Sequence, residues 1–199
     1  MFEQICPDAR WCSREVLEST LEPAIEIARE GRGGRRIGTL FTIGFADRLL
    51  QLSRPADARS DRAPSRDARR ISDPNLRGTL KELAQLDGAF ILNADGVVVA
   101  ACRYLDTSCK DVDFTFGLGS RHLAAASISR ETSAIAVVVS ESAVVRIYDQ
   151  GELQAEFLPE LWLLRRHSLH LRGQVHQDTL QDVAIFTPEP RANPARKPT

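Results

Sequence analysis

The stretch GLGSRHLAAASISRETSAIAVVVSES, residues 117–142, contains in order a glycine turn, a helix and an apolar strand. Gly117 and Gly119 lead into Ser120-Arg121-His122, and the run to Thr132 holds neither glycine nor proline. AIAVVVS, 134–140, is continuously apolar up to its serine, the pattern of a central strand buried on both faces. A helix feeding a strand of this kind points to a sheet with helices packed on it, not to an all-helical or all-strand chain.

The flanks agree. AVVRIYDQ, 143–150, reads as the next strand, and GEL, 151–153, turns into a further short one. Upstream, GAFILN and VVVAACRYL surround Ala94-Asp95-Gly96, a hairpin closed at Asp95-Gly96. NLRGTLKELAQL, 75–86, has helical periodicity, and IGTLFTIGF, 37–45, reads as a buried strand. ADRLLQLS, 46–53, is a short helix or turn. Near the start, Ser13 is the expected N-cap of REVLESTLEPAIEIARE, with Pro23 a kink or restart and GRGGRR, 31–36, the break. The order predicts an α/β fold with a mixed central β-sheet flanked by helices, over residues 1–157.

Two segments differ in material. Residues 54–74 mix Arg, Asp, Ser, Ala and Pro with few large apolar side chains and read as a solvated loop. LPELWLLRRHSLHLRGQ has helical spacing within a helical or extended extension over 158–186, and TPEPRANPARKPT, 187–199, reads as a disordered tail.

Composition narrows the partners. With 26 Lys plus Arg against 27 Asp plus Glu, the net charge of −1 gives no general attraction to nucleic acid. Only three of the basic residues are lysines, a bias that suits phosphate recognition but that an arginine-rich genome produces equally. No apolar run approaches the roughly 20 residues that span a bilayer, and the N-terminus lacks a secretory signal pattern. Cys6, Cys12, Cys102 and Cys109 form no CxxC, so reduced thiols and a cytoplasmic location are expected.

Three constellations carry chemistry. Gly119-Ser120-Arg121-His122 begins a helix, where backbone N–H groups gather an anion. A Gly-x-Gly alone is also an ordinary turn, but cationic residues at a helix start oppose the helix dipole unless a negative group lies there. Asp87-Gly88-Ala89 joins helix to strand: the small residues permit close approach of a ligand, and the carboxylate suits a metal or a hydroxyl proton. An Asp-Gly turn without function reads the same way. Ser140-Glu141 ends the apolar strand, at the edge where α/β sheets place ligands. His167, His170 and His176 lack a completing ligand, and Ser140 lacks a nucleophile elbow.

Together, LDGAFILNADGVVVAACRYLD, GLGSRHLAAASISRETSAIAVVVSES and VVRIYDQGEL resemble the diadenylate cyclase domain over residues 75–153, with its D-G-A and R-H-R motifs. The cast is similar to standalone and archaeal-type members. The resemblance implies a nucleotidyltransferase that condenses two ATP into cyclic di-AMP and two pyrophosphates with Mg²⁺ or Mn²⁺, its active site formed between two facing subunits. It assigns Asp87 to the metal and the 3′-hydroxyl, Gly88 and Ala89 to the nucleotide, and Leu105 to adenine. Gly119, Ser120, Arg121 and His122 would hold the triphosphate, with Ser140 and Glu141 near phosphate and metal. Partners would be ATP and a second copy of the chain, without nucleic acid or membrane. One departure stands out: Leu123 replaces the second arginine of R-H-R. It keeps open a nucleotide-binding module of the same fold with weak or absent synthesis. Arg103 and Arg130 are the candidates to compensate.

Overall fold

In the computed structural model, residues 12–31, 33, 35–56, 70–106, 119–158, 175–180 and 183–188 are described. The chain divides into two compact units, Met1–Pro159 and Glu160–Thr199.

The first unit is built on a seven-stranded sheet. Its helices are α1 (Arg14–Glu30), α2 (Ala46–Gln51), α3 (Leu76–Leu83) and α4 (Ser120–Thr132). Its strands are β1 (Thr39–Ile43), β2 (Ser53–Pro55), β3 (Ala89–Leu92), β4 (Val98–Leu105), β5 (Ile135–Val139), β6 (Val145–Asp149) and β7 (Glu152–Phe157). The spatial order is β2-β4-β3-β1-β5-β6-β7. Among the described residues of this sheet only the β1–β3 pair is parallel, with Leu40 opposite Ala89; the others are antiparallel, β1 meeting β5 with Thr39 opposite Val139.

β1, β3 and β5 are buried along their whole length because the sheet has apolar cover on both faces. On one face Leu40, Ala89, Ile91, Ala136 and Val138 pack with Leu49 of α2 and Ala125, Ala126 and Ile128 of α4. Side chains alternate along each strand, so Phe41 and Phe90 point the other way. Their rings stack at 4.8 Å between centroids.

α1 begins where its cap predicts: the Ser13 hydroxyl oxygen accepts the Val16 N–H at 3.2 Å. Pro23 neither stops nor restarts it; one helix runs from Arg14 to Glu30 with Pro23 buried. Ion pairs join α1 to α3: Arg77 bonds Glu22 and Glu26, and Lys81 lies 3.1 Å from Glu26 and 2.8 Å from Glu30. In the β3–β4 hairpin the Asn93 side-chain oxygen accepts the N–H groups of Asp95 and Val97, closing the turn at Asp95-Gly96.

The segment expected as a loop from 54 differs at both ends. Arg54 and Pro55 belong to edge strand β2, Pro55 opposite Arg103, and Arg70 bridges Val97. A proline is tolerated there because the edge needs no N–H from it. Residues 57–69 lie outside the described residues. Among the described residues no helix is long and apolar enough to cross a membrane.

In the second unit, β8 (Val175–Leu180) and β9 (Val183–Pro188) form an antiparallel hairpin, Val175 opposite Pro188. Thr187 and Pro188, expected to open a disordered tail, instead close β9 by pairing with His176 and Val175. The stretch LPELWLLRRHSLHLRGQ, expected to be helical, lies from 159 to 174 outside the described residues.

Candidate active site

The Asp87-Gly88-Ala89 corner is forced by its glycine. Gly88 has φ +107, and a Cβ there would stand 2.6 Å from the Arg103 backbone nitrogen and 2.7 Å from the Cys102 carbonyl carbon. β4 bows against this corner: Cys102 has φ 55, and the β3–β4 register shifts between Ala89 and Ile91, as at a bulge. Any other residue at 88 would push β4 away and carry Asp87 with it.

Arg121, in the first turn of α4, reaches both other acidic constellations. Its Nη2 donates to Asp87 Oδ1 and its Nη1 to Glu141 Oε1, each at 3.2 Å. Both carboxylates are exposed while the guanidinium is about one third exposed. The cation that opposed the helix dipole is thus compensated by two acids from loops 34 and 20 residues away in sequence.

Around this trio lie three cavities with Arg121 common to all. The largest, about 490 Å³, is walled by Leu40, Ala89, Leu105, Leu123 and Ala124 and rimmed by Asp87 and Arg121. A second, about 220 Å³, runs from Gly119 and Ser120 past His122 to Ser140 and Glu141. The third, about 240 Å³, is bordered by Arg35, Arg36 and Gln85. Gly119 is the N-cap of α4 without a side-chain cap; its carbonyl accepts the His122 and Leu123 N–H groups. The Ser120 and Arg121 N–H groups have no acceptor among the described residues and can face an anion. The Ser140 hydroxyl turns into its own turn, accepting the Ser142 N–H at 3.2 Å and sharing a bond with the Ser142 hydroxyl.

His122 differs in setting from Arg121. It is 5% exposed, with Nδ1 3.3 Å from the Tyr148 hydroxyl and Nε2 3.5 Å from Arg146 Nη1. Burial first, then the Arg146 charge, pushes its pKa down to about 4, so it is neutral near pH 7. A guanidinium only donates, so Nε2 accepts from Arg146 and the ring proton sits on Nδ1, toward Tyr148. Arg146 is held in turn by Glu156. His122 thus braces the first turn of α4 against β6 and borders the small cavity as a neutral ring.

Neither expected compensating arginine offers a free guanidinium here. Arg103 lines the large cavity but bonds the Ser53 hydroxyl at 3.2 Å and the Ser53 carbonyl at 2.8 Å. Arg130 lies nine residues along α4, about 13 Å at the helical rise, and packs over Gly151.

Composition and periodicity missed Gly38. A Cβ at Gly38 would lie 2.9 Å from Arg121 Nη1 and 3.3 Å from Glu141 Cγ, so its hydrogen makes room for the ion pair. The available signal was a glycine beside a buried strand, which marks a close approach. Tyr148 and Arg146 were also missed, since they read as ordinary strand residues.

The family model of the DisA bacterial checkpoint controller nucleotide-binding domain, abbreviated DAC, matches residues 26–153. The chain belongs to the DAC family. Two curated relatives carry the name diadenylate cyclase. That of Methanocaldococcus jannaschii is 41% identical over 152 residues, 76% of this chain and 48% of its own. That of Haloferax volcanii is 38% identical over 148 residues, 74% of this chain and 54% of its own. The chain therefore spans about half the length of these relatives. Among solved structures, a hypothetical membrane spanning protein from Bacillus cereus aligns at TM-score 0.50 and 22% identity, over 70% of this chain and 66% of that one. That likeness bears on the fold alone, and it agrees with the mixed sheet. The Asp87, Arg121 and Glu141 trio lies wholly inside the DAC match.

Proposed function

We propose that the DAC domain binds ATP in the large cavity and that two copies, face to face, condense two ATP into cyclic di-AMP and two pyrophosphates. The observation that carries this reading is the convergence of Asp87, Arg121 and Glu141 on the rim of an apolar cavity. Adenine would lie against Leu105, Leu123 and Ala124, and the phosphates would meet Ser120, Arg121 and the open N–H groups of α4. Asp87 would take the proton of the ribose 3′-hydroxyl as its oxygen attacks the α-phosphorus of the ATP on the facing copy. The bond from that phosphorus to the bridging oxygen breaks, and pyrophosphate leaves with the electron pair. Two such transfers close the ring. Holding the nucleotides opposed turns a bimolecular encounter into a positioned one.

The donor set fits a divalent cation. Asp87 and Glu141 offer hard oxygens, and Mg²⁺ characteristically takes one or two carboxylates together with substrate phosphates. Bound there, such an ion would neutralise phosphate charge. His122, neutral and bonded inward, is read as positioning Arg121 and the phosphate-facing turn.

Leu123 supports a second reading, binding without synthesis, because it adds an apolar wall where the family motif has an arginine. Incubation with ATP and Mn²⁺, with mass spectrometry for cyclic di-AMP, separates the two. Product is expected from the wild type and none from Asp87→Asn, which should keep ATP affinity within about threefold. ATP binding without product in the wild type would leave only the second reading, and full synthesis by Asp87→Asn would remove Asp87 from the chemistry.

A further inference from the structure

Gly31, Arg35 and Arg36 do more than break a helix. Gly31 ends α1 with its N–H on the Ile27 carbonyl and φ +56, and a Cβ there would meet the Arg35 carbonyl oxygen at 2.1 Å. The chain therefore doubles back tightly at Gly31, and Arg36 fastens the return by donating from Nη1 to the Ala28 carbonyl at 2.9 Å. Two residues later Gly38 passes against the Arg121 guanidinium. This path sets Arg35 on the border of the roughly 240 Å³ cavity shared with Arg36, Gln85, Arg121 and Glu141.

The charge in that cavity is lopsided. Three guanidinium groups face one carboxylate, and Glu141 is already paired with Arg121. Arg36 is committed in part to α1, whereas the exposed Arg35 side chain has no hydrogen-bond or ion-pair partner among the described residues. The cavity meets the large apolar one at Arg121.

We propose that Arg35, with Arg36 and Gln85, forms a subsite for a pyrophosphate group: the distal phosphates of the bound nucleotide and then the pyrophosphate released. This deepens the reading of the site as an ATP site and rests on it for the identity of the nucleotide. A guanidinium fork matches two phosphate oxygens at once, and among the described residues nothing occupies the fork of Arg35. Leu123 leaves the family motif one guanidinium short, and Arg35, on a cavity that shares Arg121, makes up the deficit.

The test is calorimetric titration of the full chain with ATP, AMP and inorganic pyrophosphate, comparing wild type, Arg35→Ala and Arg35→Lys. Thermal melts check that the variants fold, as the exposure of Arg35 predicts. Arg35→Ala should weaken ATP and pyrophosphate by at least about tenfold and leave AMP unchanged, with Arg35→Lys in between. Unaltered ATP affinity in Arg35→Ala, an equal loss for AMP, or no pyrophosphate binding by the wild type would each overturn the subsite. The two readings separate cleanly. Arg35-dependent pyrophosphate binding in a protein that makes no cyclic di-AMP keeps the subsite and removes synthesis. Synthesis with Arg35→Ala binding ATP like the wild type does the reverse.

Discussion

Replacing Gly38 by alanine tests how finely Arg121 must be placed. The backbone of Gly38 is not in the left-handed region, so alanine adds no torsional strain. The added methyl would stand 2.9 Å from Arg121 Nη1, and ordinary contact begins at 3.4 Å, so the guanidinium must give way by about 0.5 Å. It is the end of a flexible side chain and can do so, but its two bonds are already 3.2 Å long. Each bond has only about 0.3 Å to spare before it ceases to be a hydrogen bond, so the part of that shift directed away from the carboxylates weakens or breaks them. Misplacing a charged group by up to 1 Å can cost about a hundredfold in rate, so roughly tenfold, about 1.4 kcal/mol in the barrier, is expected here. Stability should move by less than about 1 kcal/mol, because the smaller entropy of the unfolded alanine chain offsets the crowding. Urea denaturation and timed cyclic di-AMP production on the same preparation measure both. Wild-type activity would refute the claim that Gly38 places Arg121, and a loss of 3 kcal/mol or more would move Gly38 from the site to the fold.

Other outcomes follow from the same geometry. Gly88→Ala combines a φ of +107 with backbone contacts near 2.6 Å, so it should lose about 3 kcal/mol or more in urea denaturation, and a change under 1 kcal/mol would contradict the forced corner. His122 has a folded pKa of about 4 against an ordinary value near 6.5, so the unfolded chain binds the extra proton between those limits. Its contribution is complete above about pH 6.5 and is lost as pH falls toward 4, by up to about 3 kcal/mol; His122→Gln should flatten that part of the stability profile, and an unchanged slope would refute the burial argument.

Much of this molecule could be read in its sequence because local chemistry decided it. Ser13 caps α1 whatever lies around it, Asp95-Gly96 closes its hairpin, and the apolar run of β5 is buried as its composition requires. Asp87, Arg121 and Glu141 each stood at an element boundary, where backbone rules already made them conspicuous. What escaped reading depends on long-range pairing. Ser53-Arg54-Pro55 becomes a strand only because β4 presents an open edge, and Pro23 is carried through α1 by burial that propensity does not register. Arg103 and Arg130 looked like neighbours of the site in sequence, but their bonding to Ser53 and packing over Gly151 belong to the three-dimensional arrangement.

α4 shows what this arrangement demands. Its middle is alanine and serine on nearly every side, so apolar burial alone gives it little reason to prefer one rotation about its axis over another. Each residue step is about 100° of turn, enough to swing Arg121 off the rim. Two polar fastenings choose among these rotations: His122 to Tyr148 and Arg146 at one end, and the Ser129 hydroxyl accepting the Gly151 N–H at 3.0 Å at the other. Both land on β6 or on the turn that follows it. The strand thus acts as a dial stop for the helix, and substitutions at Tyr148 or Ser129 would be felt as a change in where Arg121 aims before any change in how firmly the domain holds together.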